Sequence, residues 1–317
     1  MRAGRFGLRI IYALVLAAGL GGQAPAGEAV SAPAPALSEA VKREIIREFV
    51  LANTEFTLLH EFGHAFLHYF DVPVLGHEED AADQLATMVM IRNADLSANP
   101  AGVNKLLMVS AEWRREWLHE GGYGTARPAY WDNHSLAIQR FFNVNCLVYG
   151  GNPVEFAFLM DSQYLPAERG FVCEDEYKAA EKAGHWIEER FGRRLWERLP
   201  GFGYDKISIL YKEPRTPLST ELMSWMREEG LAERVAGRAE ALYAWPEPLT
   251  IRFEACPGNS DAYFNNRVGE IVVCHELLEK FHELALIALR EDLQEVCANA
   301  GLRRLFGARI GCPVPAP

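Results

Sequence analysis

The chain has 317 residues, of which 49% are hydrophobic and 24% are charged, a composition typical of a globular protein with a substantial core. Its 43 acidic and 32 basic side chains give a net charge of −11, which argues against nucleic acid as a partner because phosphate binding needs clustered Lys and Arg. The six cysteines form no C-x-x-C pair, which favours disulfides over a cysteine-based metal site.

The N-terminus has the pattern of an export signal. Arginines precede an apolar run from Ile10 to Leu20, and small residues up to Ala26 suit a cleavage site. The run has about 11 residues, whereas a bilayer span needs about 20. We therefore expect a signal peptide at 1–26, a flexible leader rich in Ala and Pro at 27–37, and no stable membrane span after cleavage. This pattern predicts a periplasmic or secreted protein.

The first predicted helix carries the strongest chemical signal. It spans Glu39 to Phe70 and begins after Ser38, a plausible cap. Within it, His60, Glu61 and His64 form an H-E-x-x-H motif, so the two imidazoles lie one helical turn apart. Imidazoles at this spacing bind one zinc ion, and the glutamate beside the first histidine can take a proton from a metal-bound water. The motif therefore predicts a zinc hydrolase.

An acidic cluster opens the second predicted helix, Glu79 to Arg92, and supplies candidates for a third ligand. Glu79 and Asp83 lie one turn apart along one edge of the buried stripe. Glu79 can therefore reach the metal, while Asp83 can accept the free ring N–H of a ligand histidine. Asp80 falls on the opposite, solvated face, and Glu78 remains a competitor for the ligand role.

The rest of the chain is mostly helical in pattern. Further helices are predicted at Lys105 to Glu120, Leu136 to Asn145, Asp175 to Arg190, Thr220 to Tyr243 and Leu277 to Leu289. Strand-like signals are few, at Leu249 to Phe253 and Glu270 to Cys274. The expected fold class is helix-rich α+β, with a helical zinc-site region at 38–212. A C-terminal α+β region at 218–317 would pack on the same site or continue the same domain.

All six cysteines lie in the expected mature chain, as suits an oxidising compartment. Six cysteines allow 15 pairings. Each short loop closed by a disulfide stabilises the fold by ~3 kcal/mol. Proximity along the chain favours the pairs Cys146–Cys173, Cys256–Cys274 and Cys297–Cys312.

The two zinc-site motifs, in Leu59 to Ala65 and Glu78 to Ala86, resemble the signature of a bacterial family of secreted proteins. That family is classed as metallopeptidases and has no assigned function. Further similar segments lie along most of the mature chain, at 132–135, 139–141, 145–150, 165–169 and 271–277. One position departs from the family pattern, because His275 stands beside the late cysteine where a tyrosine is expected.

H-E-x-x-H followed by E-x-x-x-D is also similar to gluzincins, whose glutamate is the third zinc ligand and whose aspartate supports a ligand histidine. This likeness implies those roles for Glu79 and Asp83, with zinc as cofactor, a zincin-like core and a protease-like site. In zincins a strand beside the zinc offers its backbone to an extended substrate, and Gly269 to Cys274 is the candidate. An ordinary core strand is the favoured alternative for that segment.

A zinc hydrolase also needs a donor for the developing oxyanion. The family resemblance favours His134, and for every candidate a structural hydrogen bond is the alternative role. The candidates are His134, Tyr149, His185, Tyr263 and His275.

Three functions fit these patterns. In the first, a periplasmic or secreted zinc metallopeptidase acts on a peptide or protein, with Glu61 deprotonating a zinc-bound water. In the second, a non-catalytic envelope or binding protein is stabilised by zinc, and His77 or His134 closes the fourth position. The third, a zinc amidase acting on cell-wall peptides, shares the site and differs only in substrate.

Overall fold

Helices dominate the part of the chain that a computed structural model describes, residues 37–94, 100–119, 130–161, 164–194, 197 and 206–313. The predicted signal peptide at 1–26, and the leader as far as residue 36, lie outside these residues. The helices are α1 (Glu39–Tyr69), α2 (Glu78–Ala94), α3 (Pro100–His119), α4 (Ala137–Gly151), α5 (Phe158–Asp161), α6 (Ala167–Gly170), α7 (Cys173–Phe191), α8 (Pro217–Glu229), α9 (Leu231–Leu242), α10 (His275–Glu291), α11 (Leu293–Ala298) and α12 (Ala300–Ile310). The strands are β1 (Ile207–Tyr211), β2 (Leu249–Glu254), β3 (Ala262–Asn265) and β4 (Glu270–Cys274). The expected helix-rich α+β class is confirmed.

The central element is α1, which contacts α2, α3, α8, α9, α10 and two strands of the sheet. Its N-terminus is capped as predicted, because the backbone N–H of Val41 donates to Ser38 Oγ at 3.3 Å. The helix ends just before Asp71, a non-glycine residue with φ of 50°. Side chains are buried on several faces of α1 from Ile46 to Leu67. A helix buried in this way must pack between other layers rather than on a surface.

Two hydrophobic cores lie against α1. The first joins α1 to α8, α9, α10 and the sheet, and includes Phe49, Phe62, Leu222, Ile251 and Phe281. The second joins α2, α3, α4 and α7, and includes Phe56, Ile91, Leu106, Phe141 and Leu147. The described residues form one compact unit. The motif helix is thus held by apolar packing against both predicted regions of the chain.

The four described strands form one small mixed sheet in the order β1-β2-β4-β3. β1, β2 and β4 are parallel, with Ile209 opposite Ile251 and Ile251 opposite Ile271, whereas β3 runs antiparallel to β4. β2 and β4 match the predicted strands. β1 and β3 were not predicted as strands.

The favoured interpretation of Gly269 to Cys274 as an ordinary core strand is confirmed, and its candidate role as the strand beside the metal site is not. β4 lies inside the sheet between β2 and β3, and it is almost fully buried, so the alternative interpretation as a core strand is the correct one. The edge strand that contacts α1 is β3 instead.

The predicted helix from Thr220 to Tyr243 is two helices in the structure. α8 ends at Gly230, which adopts a left-handed φ of 59° and also precedes α9. Glycine adopts this conformation without steric cost, so it terminates a helix where any other residue would be strained. The apolar periodicity continues across the break, which is why the pattern alone suggested one helix.

Three disulfides link elements of the described chain. They join α4 to the start of α7, the loop after β2 to the end of β4, and α11 to the residues after α12. The pairs are Cys146–Cys173, Cys256–Cys274 and Cys297–Cys312, the pairs that proximity favoured. Among the described residues, none of the helices has both the length and the hydropathy that crossing a bilayer requires.

α1 and α2 approach each other closely at Gly63. A Cβ atom built on this glycine would lie 3.1 Å from Ala82 Cα and 3.2 Å from Ala82 Cβ. Such contacts are tighter than ordinary van der Waals packing, so a side chain at position 63 would push the helices apart. Small residues on both sides therefore set the spacing of the two helices that carry the predicted ligands.

We predict that Gly63→Ala is less stable than the matched change Gly184→Ala by at least about 1 kcal/mol in unfolding free energy. Both glycines lie inside helices, but a Cβ at Gly184 meets nothing within 4 Å. Alanine at position 184 should therefore stabilise the protein through its higher helix propensity. At position 63 the tight contact with Ala82 should cancel this stabilisation. Urea unfolding of the two variants and the wild type measures the difference, and equal gains would contradict this account of the helix contact.

Candidate metal centre

Three side chains from two helices converge at one point beside the edge of the sheet. Nε2 of His60 and Nε2 of His64 are 3.2 Å apart. Glu79 Oε2 lies 3.2 Å from His60 Nε2 and 3.1 Å from His64 Nε2. These three ligand atoms could hold a metal ion. Two imidazole nitrogens and one carboxylate oxygen are also a known ligand set for zinc in hydrolases, with a fourth position for water or substrate.

The second ring nitrogen of each histidine is anchored by a carboxylate. The Nδ1–H of His60 donates to Asp83 Oδ1 at 2.8 Å, and the Nδ1–H of His64 donates to Glu78 Oε1 at 2.8 Å. These bonds favour the tautomer with the proton on Nδ1, which leaves Nε2 free to bind a metal. Glu78, the competitor for the ligand role, therefore contacts the side of His64 that faces away from Glu79.

Arg140 of α4 holds Asp83 in place. Its Nε and Nη2 donate to the two oxygens of Asp83 at 2.6 and 2.5 Å, and its guanidinium lies 3.5 Å from the centre of the Trp113 ring. Burial raises the pKa of Asp83, but the charge of Arg140 and the bond from His60 outweigh it and hold the pKa below its usual range. Sequence reasoning gave Arg140 no role at the site, because no local spacing relates it to Asp83.

The histidines are also affected by these carboxylates. Burial lowers the pKa of His60, but the bonds to Asp83 and Glu79 outweigh it and the net shift is upward. The pKa of Glu79 is lowered, because bonds from three imidazoles, those of His134, His60 and His64, outweigh the cost of burial. Without a metal, the imidazoles therefore hold protons that a metal ion must displace.

Glu61 is 5% exposed and faces two cavities. Burial raises its pKa, and the negative charges of Asp261 and Glu79 add to the shift, while His60 and His64 oppose it. A carboxyl with a raised pKa is suited to accept and return a proton near neutral pH. Its position beside the ligand cluster is the one that the H-E-x-x-H spacing predicts.

The two cavities lie on either side of the ligand cluster and share His60, Glu61, His134, Asp261 and Ala262. The first, of about 560 Å³, extends between α1, α3, α10 and the start of α4. The second, of about 580 Å³, extends past His64 along β3. The ligand cluster therefore lies in a cleft with room on both sides, and β3 forms part of its wall.

Of the predicted oxyanion donors, two lie at the cleft. His134 Nε2 is 3.0 Å from Glu79 Oε2, and its Nδ1 is 2.9 Å from Asp132 Oδ1. The bond to Glu79 is the main cause that raises the pKa of His134 to about 9. Asn133 Nδ2 donates to Glu79 Oε1 at 3.1 Å, a contact that the sequence did not predict. Tyr263 of β3 borders the second cavity.

The other three donor candidates lie away from both cavities. Tyr149 packs against the second core, and His185 is exposed on α7. His275 is buried at the start of α10. His77, proposed as a fourth ligand, is exposed just before α2, and Asp80 accepts a hydrogen bond from Ser135 away from the ligand atoms. Their residue types suited the chemistry, but tertiary packing directs them elsewhere.

Comparison with known proteins gives one match. A family model, DUF4344, described as "Putative metallopeptidase", matches residues 31–187 and 211–302. No curated protein matches the chain significantly, and no solved structure does so either. The matched ranges cover most of the chain, including the three ligand candidates, Glu61 and Arg140.

We predict that zinc affinity falls as the pH falls. Burial lowers the pKa of His64, but the bonds to Glu79 and Glu78 outweigh it and raise the pKa to about 9. Below that pH the ring of the metal-free protein is protonated, so zinc must displace the proton, and affinity should fall at least about tenfold per pH unit between pH 8 and 6. Competition against a chromogenic chelator at each pH measures this, and a constant affinity would refute it.

We predict that Asp83→Asn weakens zinc binding by about 10- to 100-fold, because the charged acceptor that orients the His60 ring becomes a neutral amide and Arg140 loses its anionic partner. Asp80→Asn is the matched control. It lies on the same helix and bonds to Ser135 rather than to a histidine, so zinc affinity should stay unchanged. The same chelator competition compares them, and an equal loss in both variants would show that the carboxylate of Asp83 has no special role.

Proposed function

The chain belongs to the Putative metallopeptidase family, and on this basis we propose that it is a zinc-dependent peptidase. The observation that carries the proposal is the convergence of His60, His64 and Glu79 next to a buried Glu61 in an open cleft. This is the donor set of a hydrolytic zinc site, with the base beside it. The cleft leaves space for a substrate on both sides of the ligand atoms.

In the proposed reaction, His60, His64 and Glu79 hold the zinc. When bound, the metal supplies Lewis acidity that lowers the pKa of a water and polarises the scissile carbonyl. The carboxylate of Glu61 accepts a proton from the attacking water and then donates it to the nitrogen of the leaving amine. Asp83 and Glu78 hold the two imidazoles in the orientation that ligation needs.

Two further groups would position the substrate. His134 borders both cavities and can donate from its ring to the carbonyl oxygen on which negative charge develops. β3 is the edge strand of the described sheet, so an extended peptide could pair with its backbone as an added strand. The zincin-like arrangement of helix, metal and edge strand is thus part of the proposal.

The three disulfides support a location in an oxidising compartment, either the periplasm or the extracellular space. The predicted signal peptide is consistent with the same location.

One observation favours a second candidate function. His134 Nε2 lies 3.0 Å from Glu79 Oε2, close enough to the cluster to become a fourth ligand. Four protein ligands would close the site and make the zinc structural, in a non-catalytic envelope or binding protein. A zinc amidase acting on cell-wall peptides would use the same residues as the peptidase and differ in the products.

We predict that Glu61→Gln binds one equivalent of zinc and loses at least about 100-fold in kcat, because glutamine keeps the shape of the side chain but cannot take a proton. Metal content and hydrolysis of a mixed peptide library are measured together for wild type, Glu61→Gln and the control Glu189→Gln. Glu189 is exposed on α7, so its substitution should leave both measurements unchanged.

The outcomes separate the candidates. Chelator-sensitive cleavage in the wild type that is lost in Glu61→Gln supports the peptidase. Stoichiometric zinc without cleavage of the peptide library in either protein supports the structural site. Stoichiometric zinc with no cleavage of the library but with release of cell-wall fragments supports the amidase. Full activity in Glu61→Gln would refute its role as the base.

A further inference from the structure

The first cavity, next to Glu61, contains a second acidic pair that the hydrolytic reaction does not use. Glu112 and Glu116 lie one turn apart on α3, and both line this cavity. Glu112 is only 2% exposed. A buried carboxyl is costly unless a partner compensates for the lost hydration, so its presence in a cavity wall calls for an explanation.

The described cations at this cavity are already bonded to other acids. Lys280 of α10 donates to Glu116 Oε1 at 2.9 Å, and Arg140 bonds to Asp83. Among the described residues, Glu112 therefore has no ion-pair partner of its own. This part of the wall has two carboxyls, Glu112 and Glu116, facing a single ammonium group.

The two carboxyls of the pair interact electrostatically, so the charge of each affects the other. Burial raises the pKa of Glu112 well above its usual range, the neighbouring Glu116 raises it further, and Lys280 and Arg140 oppose the shift. A cation that enters the cavity next to Glu112 would favour its charged carboxylate form, because opposite charges at close range attract.

The remaining walls suit a long cationic side chain. Part of the wall is apolar or aromatic and can pack along a methylene stem, while an aromatic face also attracts a cation. The guanidinium of Arg140 already lies over the Trp113 ring. The volume of about 560 Å³ lies within the range of ligand pockets, which is about 300–1,000 Å³. These wall residues are Phe56, Trp113, Trp117, Leu277 and Phe281.

We propose that this cavity is a specificity subsite for a cationic group of the substrate, and that Glu112 recognises that group. The group is the side chain of a lysine or arginine next to the scissile bond, or the α-ammonium at the end of a peptide. This inference rests on the proposed peptidase function and names the class of substrate. Acidic side chains are excluded from the subsite because they would face Glu112 and Glu116.

The test compares matched peptides. N-acetylated peptides carry either lysine or norleucine at each position flanking the scissile bond, so that only the ammonium differs. The zinc-loaded wild type should favour lysine by about tenfold or more in kcat/KM at one of these positions, which is the effect of a charged hydrogen bond. In Glu112→Gln this ratio should fall towards one, whereas Glu189→Gln should keep the wild-type ratio.

A second arm identifies the source of the cation. Peptides without lysine or arginine are compared with a free and with an acetylated N-terminus. A preference that depends on Glu112 in either arm supports the subsite and shows which ammonium it takes. The wild-type ratios are measured on the wild type alone, so they do not depend on whether a variant folds. Thermal unfolding checks that Glu112→Gln is folded.

Two negative results are distinguishable. Wild-type ratios near one in both arms, or a preference that persists in folded Glu112→Gln, would overturn the subsite and leave the peptidase standing. No cleavage of any peptide by the zinc-loaded wild type would instead overturn the proposed function, and this inference with it.

Discussion

The close packing of α1 on α2 is the constraint on which the candidate metal centre depends. Gly63 and Ala82 let the two backbones approach until an added Cβ would already be in tight contact. His60 and His64 lie on α1 and Glu79 lies on α2, so the distances between their ligand atoms follow from the separation of the helices. Two apolar cores pack against α1 on either side. This packing offsets the free-energy cost of bringing buried polar groups together.

Around that contact, the polar groups are arranged in chains rather than in isolated pairs. Arg140 holds Asp83, Asp83 accepts from His60, and His60 points its other nitrogen at Glu79. Each link satisfies one donor or acceptor and fixes the orientation of the next group. The result is that the Nε2 atoms of His60 and His64 face one point.

The sequence predicted those features that depend on short spacing. The H-E-x-x-H turn, the i,i+4 relation of Glu79 and Asp83, and the Ser38 cap are local, so helical geometry determines them. Arg140 was given no role, because it is 57 residues from Asp83 and only the packing of α4 brings them together. The position of β3 at the sheet edge, and the break at Gly230, also depend on tertiary structure that hydrophobic periodicity does not encode.

The placement of Glu61 argues for chemistry rather than for a purely structural metal. A metal that only stabilises the fold needs ligands and anchoring bonds, and it has no use for a further buried carboxyl that borders two cavities. A hydrolase needs a base at that point, with space on both sides for the two halves of a substrate. The acidic pair of Glu112 and Glu116 lies in one of these spaces, where it would meet a substrate side chain and not the bond that breaks. Under the proposed function, Glu61 and the acidic pair would divide one cleft between reaction and recognition.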